Sequence, residues 1–333
     1  MGSGDHQAVI DRVGIGVNPC CVPGSPRHDE RMLDPHFVLD EAGRQRLIAR
    51  FGAGVGAWCT ALPEMVERYC LRWHLDLDKA LSGNSSRVFI GRQHGNRGVV
   101  LKLTPDRASA NEAAIALRAW AVTPHAVDLL DADLEAAALL LDRIEPGIVV
   151  SDEPEIPPVN EVAELLTGLR ETAEYDAGQL PTMTQGIESM FSRIGGLLSH
   201  PQVSALVARQ VLDDGYHRAC ELASNGPQGL LHGDLHLSNV LRAGRRRGLV
   251  AIDPRPSVGD LTFDAIDWAL DRPASIAEVH ERIERVGKLV PGLHADRLWG
   301  WCEATAAALA ILRLRRRPPD ATTRLLLEIA AST

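Results

Sequence analysis

The sequence predicts an α+β protein of two unlike lobes, a small β-sheet lobe followed by a mostly helical one. Three observations carry that expectation. Short apolar strands separated by turn residues cluster before residue 145, whereas amphipathic helical stripes dominate from Pro158 onward. The chain of 333 residues has room for two bodies, since a domain takes about 100–200 residues. Between them Glu145-Pro146-Gly147 interrupts the pattern. The expected divisions are a poorly packed extension over 1–35, a first lobe over 36–143 and a second lobe over 144–333.

Composition narrows the class. A hydrophobic content of 45% with 24% charged residues is that of a globular protein. No apolar run reaches the roughly 18 residues of a membrane span, and the start lacks the basic-then-apolar order of a signal peptide. A cytoplasmic protein with no membrane partner is expected. The net charge of −9 argues against a nucleic-acid partner. It suits a cationic small molecule, although solubility alone explains it equally well. The six cysteines show no Cys-x-x-Cys spacing, so zinc is not expected and free thiols are, with the adjacent Cys20-Cys21 open to oxidation.

In chain order, residues 37–51 and 62–73 read as helices, the second with Met65, Val66, Tyr69, Leu71 and Trp73 crowded to one side. A small-residue loop, Leu81-Ser82-Gly83-Asn84-Ser85-Ser86, precedes the strand Val88-Phe89-Ile90. The turn at His94-Gly95-Asn96-Arg97-Gly98 leads to the strand Val99-Val100-Leu101-Lys102-Leu103. Lys102 shares a face with Val100, opposite Val99, Leu101 and Leu103. A cation in so apolar a strand either snorkels at an edge or has an anionic partner. Glu112 offers one from an Ala-rich helix, on a stripe with Ile115, Ala116 and Ala119; the other reading is two unrelated surface charges. Residues 127–130 and 138–144 are the next strands, joined by an acidic turn over 131–135.

From Pro158 the stripes Val162/Leu165/Leu166/Leu169 and Ile187/Phe191/Ile194/Leu198 mark core helices. A long helix comes next over 203–223, packed through Leu206, Val207, Val211, Leu212 and Tyr216, with His217 and Cys220 structural. Further helices are expected around 276–289, 295–314 and 321–330. In the penultimate one Trp299, Trp301 and Glu303 are placed to line a substrate cleft, and the basic cluster over 313–317 reads as a solvated helix end.

The chemistry concentrates in His232-Gly233-Asp234-Leu235-His236-Leu237-Ser238-Asn239 and the adjoining hairpin. Val240-Leu241-Arg242 and Leu249-Val250-Ala251-Ile252 flank a Gly-containing turn, so Asn239 and Asp253 meet at one end of the hairpin. Asp234 lies in the loop feeding it. Oxygen-only side chains in this arrangement suit Mg²⁺, which takes few protein ligands and completes its shell with water and phosphate. The alternative is a polar turn that caps itself. Just beyond, Asp260, Asp264 and Asp267 recur near helical spacing, which on its own reads as carboxylates favoured at a helix start.

His-x-Asp, Asn five residues on, and a short hairpin to a second Asp together resemble the catalytic loop and metal-binding Asp of the protein-kinase-like fold. The form His-Gly-Asp-Leu-His-x-x-Asn with Ile-Asp-Pro is similar to the aminoglycoside phosphotransferases, and within them to the streptomycin and hydroxyurea resistance kinases. The resemblance covers roughly residues 55–315. It implies a bilobal protein-kinase-like fold that moves the γ-phosphate of ATP or GTP, with Mg²⁺, to a hydroxyl of a small-molecule antibiotic of aminoglycoside, peptide or nucleoside type. Resistance or self-protection would be the outcome.

The same resemblance implies residue roles. Asp234 would orient the hydroxyl and take its proton, and Asn239 and Asp253 would hold the metal. Lys102 would hold the α- and β-phosphates with its rotamer fixed by Glu112, and the loop of Ser85 and Ser86 would cap the phosphates. Backbone at Leu141, Arg143 and Ile144 would meet the purine edge. Asp264 would brace the catalytic loop or, with Asp260, face substrate. The sequence departs from the wider pattern in two places: Gly83 is the only glycine of the phosphate loop, and Asp142-Arg143 stands where relatives carry Glu-Arg.

Three rivals are weighed by the same residues. A protein kinase needs an activation segment ending in Ala-Pro-Glu, for which Pro254-Arg255-Pro256 and an early helix leave no room. A nucleotide-binding pseudoenzyme needs a broken Lys102, Asp234, Asn239 or Asp253, and all are intact. A metabolic sugar or amino-alcohol kinase shares every one of them and stands as the alternative.

Overall fold

In the computed structural model the described residues are 39–331, apart from 84, 245 and 246. The extension expected over 1–35 and the Cys20-Cys21 pair lie outside them. The chain opens with α1 (Glu41–Phe51), started by the Asp40 carboxylate accepting from the Gly43 amide at 2.8 Å and ended at Gly52, whose φ of 80° no ordinary side chain favours. Next comes α2 (Gly56–Trp73). Its residues Leu62, Val66, Tyr69 and Trp73 recur every three or four positions and bury one stripe. Leu71, expected on that stripe, is exposed because it stands two residues, about 200° of helix, beyond Tyr69.

The first sheet contains β1 (Leu75–Ser82), β2 (Arg87–Gln93) and β3 (Arg97–Leu103); then, after α3 (Arg107–Ala119), β4 (Leu129–Asp133) and β5 (Ala138–Asp142). All pairings are antiparallel, in the order β1-β2-β3-β5-β4. Val99, Leu101 and Leu103 turn one face of β3 into a core shared with α2, which leaves Lys102 on the other face. β1 is not among the expected strands: Leu75 and Leu77 alternate with the exposed Asp76 and Asp78, but the register shifts between Leu77 and Lys79, which interrupts the pattern on this edge strand. The acidic turn expected over 131–135 begins later, because Asp131 and Asp133 lie in β4. They are used there, Asp131 accepting from the Trp73 indole at 2.8 Å and Asp133 pairing with Arg72 at 2.5 Å.

After the connection over 143–145 come β6 (Pro146–Val149), α4 (Val159–Gly168), α5 (Met183–Gly195), the short α6 (Pro201–Ser204) and α7 (Arg209–Asn225). The single helix expected over 203–223 is therefore two. Ala208 is extended at the break (ψ 147°), so Val203 and Val207 are both buried while Leu206 turns outward. β7 (Gln228–Leu231) leads through the polar loop to β8 (Val240–Ala243), β9 (Leu249–Ala251) and β10 (Ser257–Asp260). β10 pairs with β7, and β8 lies between β6 and β9. The chain closes with α8 (Ile266–Ala269), α9 (Ile276–Leu289), α10 (Ala295–Leu314) and α11 (Ala321–Ala331).

α10 is buried on most sides, and its alanines let α7 approach until a Cβ at Gly215 would stand 2.6 Å from the Ala304 carbonyl. Among the described residues no helix is long and apolar enough to cross a membrane. The β8–β9 hairpin is tied to the sheet lobe. Arg247 in its turn donates to the carbonyls of Pro124 and Ala126 at 2.7 and 2.6 Å and pairs with Asp128 at 3.1 Å and Asp142 at 3.7 Å. Backbone bonds between 125–127 and Ala251 extend the seam.

Candidate active site

The loop after β7 is shaped by a glycine and a carboxylate. Gly233 has a φ of 74°, and a Cβ there would fall 2.1 Å from the Arg255 carbonyl, so the loop lies hard against the segment leaving β9. Asp264, from the turn before α8, accepts from the peptide N–H groups of His232 and Gly233, one on each oxygen, at 2.8 and 2.9 Å. Burial pushes its pKa up to about 6, against the pull of those two donors. The His232 ring donates from Nε2 to the Ile252 carbonyl at 3.0 Å and stacks on Trp120; burial pushes it down to about 4, so it is neutral.

With the loop held at this end, its polar side chains converge. The Asn239 amide donates to the Asp234 carbonyl at 2.9 Å and reaches its carboxylate at 3.5 Å, while the Asn239 carbonyl accepts from Ile252 at 2.8 Å. With its NH₂ so used, the Asn239 side-chain oxygen is free for another partner. Asp253, at the end of the hairpin with φ 56°, is ion-paired to Lys102 across the lobes. Burial opposes its ionisation, but the Lys102 ammonium, helped by Arg255, outweighs burial and holds the carboxyl below the usual range. Asp234 is flanked by Arg255 (Nε to Oδ2, 3.2 Å) and His236 (Nε2 to Oδ1, 3.7 Å).

The structure thus brings Asp234, Asn239, Asp253 and Lys102 together. Ser85, Lys102 and Asp253 line one cleft between the lobes, with Arg50, Asp106 and Arg255. Ser85 is positioned by its carbonyl, which accepts from Thr104 Oγ1 at 2.9 Å, and Ser86 is buried beside it. Leu141 lies on β5 and Arg143 and Ile144 at its exit, on the stretch that continues from Leu139, which lines the cleft. Two oxygen-bearing side chains suit a Mg²⁺ ion better than a transition metal. Among the described residues no cluster of three His, Cys, Asp or Glu is placed to hold a metal ion of any kind.

Three expectations are corrected. Glu112 does not pair with Lys102: the β8–β9 hairpin delivers Asp253 to that ammonium instead. Glu112 is left half-buried on α3 with no ion pair among the described residues, its pKa raised first by burial and then by Asp106. Asp260 does not face a substrate. It is fully buried and accepts from Arg297 Nε at 2.5 Å, Trp301 Nε1 at 2.6 Å and the Thr262 amide at 2.9 Å, which makes it an anchor of α10. Trp301 is accordingly core, not cleft, and Glu303 on the same helix is held by Arg218 of α7 at 2.5 Å. Of the two roles implied for Asp264, its bonds to the loop amides give it the bracing one.

Four further residues gather here to which the sequence assigned no role in the site: Arg50, His236, Arg255 and Asp267. Asp267 stands one turn beyond Asp264; burial pushes it up to about 6, His236 opposing and Asp234 and Asp271 adding. Its three-residue spacing from Asp264 was the available signal. Arg255, fixed between two prolines, had one as well; Arg50 had none.

The bracing carboxylate yields a prediction. An amide at 264 presents one acceptor and one NH₂, so Asp264→Asn should leave one of two peptide donors unmet and cost about 1–3 kcal/mol. The pH dependence has a sign. A depressed His232 removes stability as pH falls from 6.5 to about 4, whereas the raised carboxyls of Asp264 and Asp267 add stability as pH falls through about 6 toward 4. Removing one of the opposing carboxyls should make the variant lose stability more steeply than the parent between pH 6.5 and about 4. Denaturant titrations at both ends of that range check this; parallel curves would contradict it.

Known proteins resemble this chain in sequence and in fold. A family model described as aminoglycoside/hydroxyurea antibiotic resistance kinase matches residues 72–316. A streptomycin 6-kinase of Streptomyces glaucescens is 34% identical over 266 residues, covering 75% of this chain and 82% of that protein. A hydroxyurea phosphotransferase of Kitasatospora aureofaciens is 31% identical, covering 76% and 73%. Among solved structures, a choline kinase of Streptococcus pneumoniae superposes with a TM-score of 0.56 at 13% identity, over 81% of this chain and 96% of that one. An aminoglycoside phosphotransferase in ternary complex with AMP-PNP and hygromycin B gives 0.55 at 20% identity, over 80% and 98%. These two likenesses show the protein-kinase-like fold.

Proposed function

Because the chain belongs to the aminoglycoside/hydroxyurea antibiotic resistance kinase family, we propose that it transfers the γ-phosphoryl group of ATP or GTP, with Mg²⁺, to a hydroxyl of a small-molecule antibiotic. That it is a phosphotransferase is given by the membership; the donor, the ion and the acceptor class are our reading. The observation that carries it is the meeting of Lys102 and Asp253 across the cleft, with Asn239 hydrogen-bonded to Asp234 beside them. The side-chain oxygen of Asn239 and the carboxylate of Asp253 would hold Mg²⁺, which when bound neutralises charge on the nucleotide phosphates.

This chain's own groups do the rest. Asp234 orients the acceptor hydroxyl and takes its proton as that oxygen bonds to the terminal phosphorus, and the bond to the diphosphate breaks. Arg255 and His236 keep Asp234 in place, and Asp264 keeps the loop rigid. Lys102 balances phosphate charge on the sheet side. Such chemistry depends on position and charge more than on covalent participation.

The test is incubation with Mg²⁺, ATP or GTP, and a panel of streptomycin, hydroxyurea, a peptide antibiotic, a nucleoside antibiotic and choline, read by mass spectrometry. One antibiotic should gain a single phosphoryl group. Phosphorylation of choline alone would replace this reading with that of an amino-alcohol kinase, and no gain on any compound would overturn it.

A further inference from the structure

The cleft holds a cation that the reaction scheme has not used and that lies outside the family match, which begins at residue 72. Arg50 stands in the last turn of α1, a helix seated on α2 through Leu47, Val55 and Cys59. From there it lines the same cleft as Ser85, Lys102, Asp253 and Arg255. Its guanidinium packs over the Phe51 ring, 5.4 Å from the centroid, and makes no hydrogen bond or ion pair among the described residues.

The neighbouring carboxylates are otherwise engaged. Both oxygens of Asp106 accept from Ser109, through its amide at 3.1 Å and its hydroxyl at 2.6 Å. Asp234 is flanked by Arg255 and His236, and Asp253 holds Lys102. Arg50 is exposed at the open side of the cleft; what desolvation it meets, and then the guanidinium groups of Arg255 and Arg193, work against its charge, with Asp106 and Asp234 opposing. With Lys102 and Arg255 each paired to a carboxylate, Arg50 is left as a cation facing the same cleft with donors to offer an anion that enters it.

We propose that Arg50 contacts the terminal phosphate of the bound nucleotide and shares its charge with Arg255 while the phosphoryl group is transferred. α1 thus adds to the kinase core a phosphate contact from outside it. The proposal rests on the reading that this cleft takes a nucleoside triphosphate. A guanidinium suits the role because its planar donors match phosphate oxygens in pairs and it never loses its charge at physiological pH.

The test compares AMP-PNP with ADP, and GMP-PNP with GDP, each with Mg²⁺, by calorimetric titration of the parent, Arg50→Met, Arg50→Lys and Arg44→Met. Loss of one charge-assisted contact should weaken the imido-triphosphate about tenfold or more in Arg50→Met while the diphosphate changes less than about twofold. Arg50→Lys should recover part of the difference, and Arg44→Met, on the same helix but outside the cleft, should match the parent. Equal weakening of triphosphate and diphosphate, or no weakening in a variant with parental Tm, would overturn the Arg50 assignment alone. A parent protein that binds none of the four nucleotides would overturn this assignment and the kinase site together.

Discussion

Replacing Asp234 by alanine should lower turnover by about 10²–10⁴-fold, the usual contribution of a positioned proton acceptor, while nucleotide still raises the melting temperature. The separation comes from geometry. Asp234 touches Arg255, His236 and Asn239 but not Lys102, and the Lys102–Asp253 pair is built from other elements. The variant also frees Arg255 from its carboxylate, so the thermal shift given by Mg²⁺-nucleotide should equal or exceed that of the parent. Asp234→Asn keeps the side-chain shape and removes the basicity, and it should be as inactive as the alanine variant. Turnover at the parental rate in either variant would end the assignment of Asp234 as base, and loss of the thermal shift would mean that it serves nucleotide binding instead.

Asp253→Asn should abolish measurable turnover, a loss of roughly 10³-fold or more, and should remove the dependence of nucleotide binding on Mg²⁺. The amide is the informative replacement because residue 253 has a φ of 56°, a region that Asn and Asp tolerate and where alanine adds about 1–2 kcal/mol of backbone strain. Charge is then tested apart from conformation. A second consequence concerns pH. The depressed carboxyl of Asp253 contributes stability that is present above the ordinary carboxylate pKa and is lost as pH falls through its folded value. Asp253→Asn should lack that acid-side loss while being less stable near neutrality, where Lys102 is left without its partner. Unchanged metal dependence of nucleotide binding would contradict the ligand role.

The parts of this protein that were readable in advance share a local cause. Asp234, Asn239 and Asp253 sit within one loop and one hairpin, so they are close along the chain, and β2 and β3 are marked by apolar runs with a turn between them. Where a feature depended on distant chain, local pattern misled. The pairing of Lys102 with Glu112 was inferred from nearness in sequence, whereas its partner arrives from 151 residues away. Asp260 looked like its acidic neighbours, and only the arrival of Arg297 and Trp301 from α10 makes it an anchor. The break between α6 and α7 has no glycine or proline to announce it, and the alternation of β1 is cut short by the register shift between Leu77 and Lys79. Arg50 could not have been singled out, since nothing near it in sequence shows that the end of α1 reaches the cleft.

The seam made by Arg247 bears on how such a molecule can move. It joins the hairpin that carries Asn239 and Asp253 to the 124–128 segment and to Asp142 at the rear of the sheet lobe. A lobe rotation that preserved those bonds would pivot at the back, sweeping the mouth with Ser85, Lys102 and α1 through the longest arc. Access to the cleft would then be controlled at the front, while the Asp142 end of β5 keeps nearly constant spacing from the hairpin that carries Asp253.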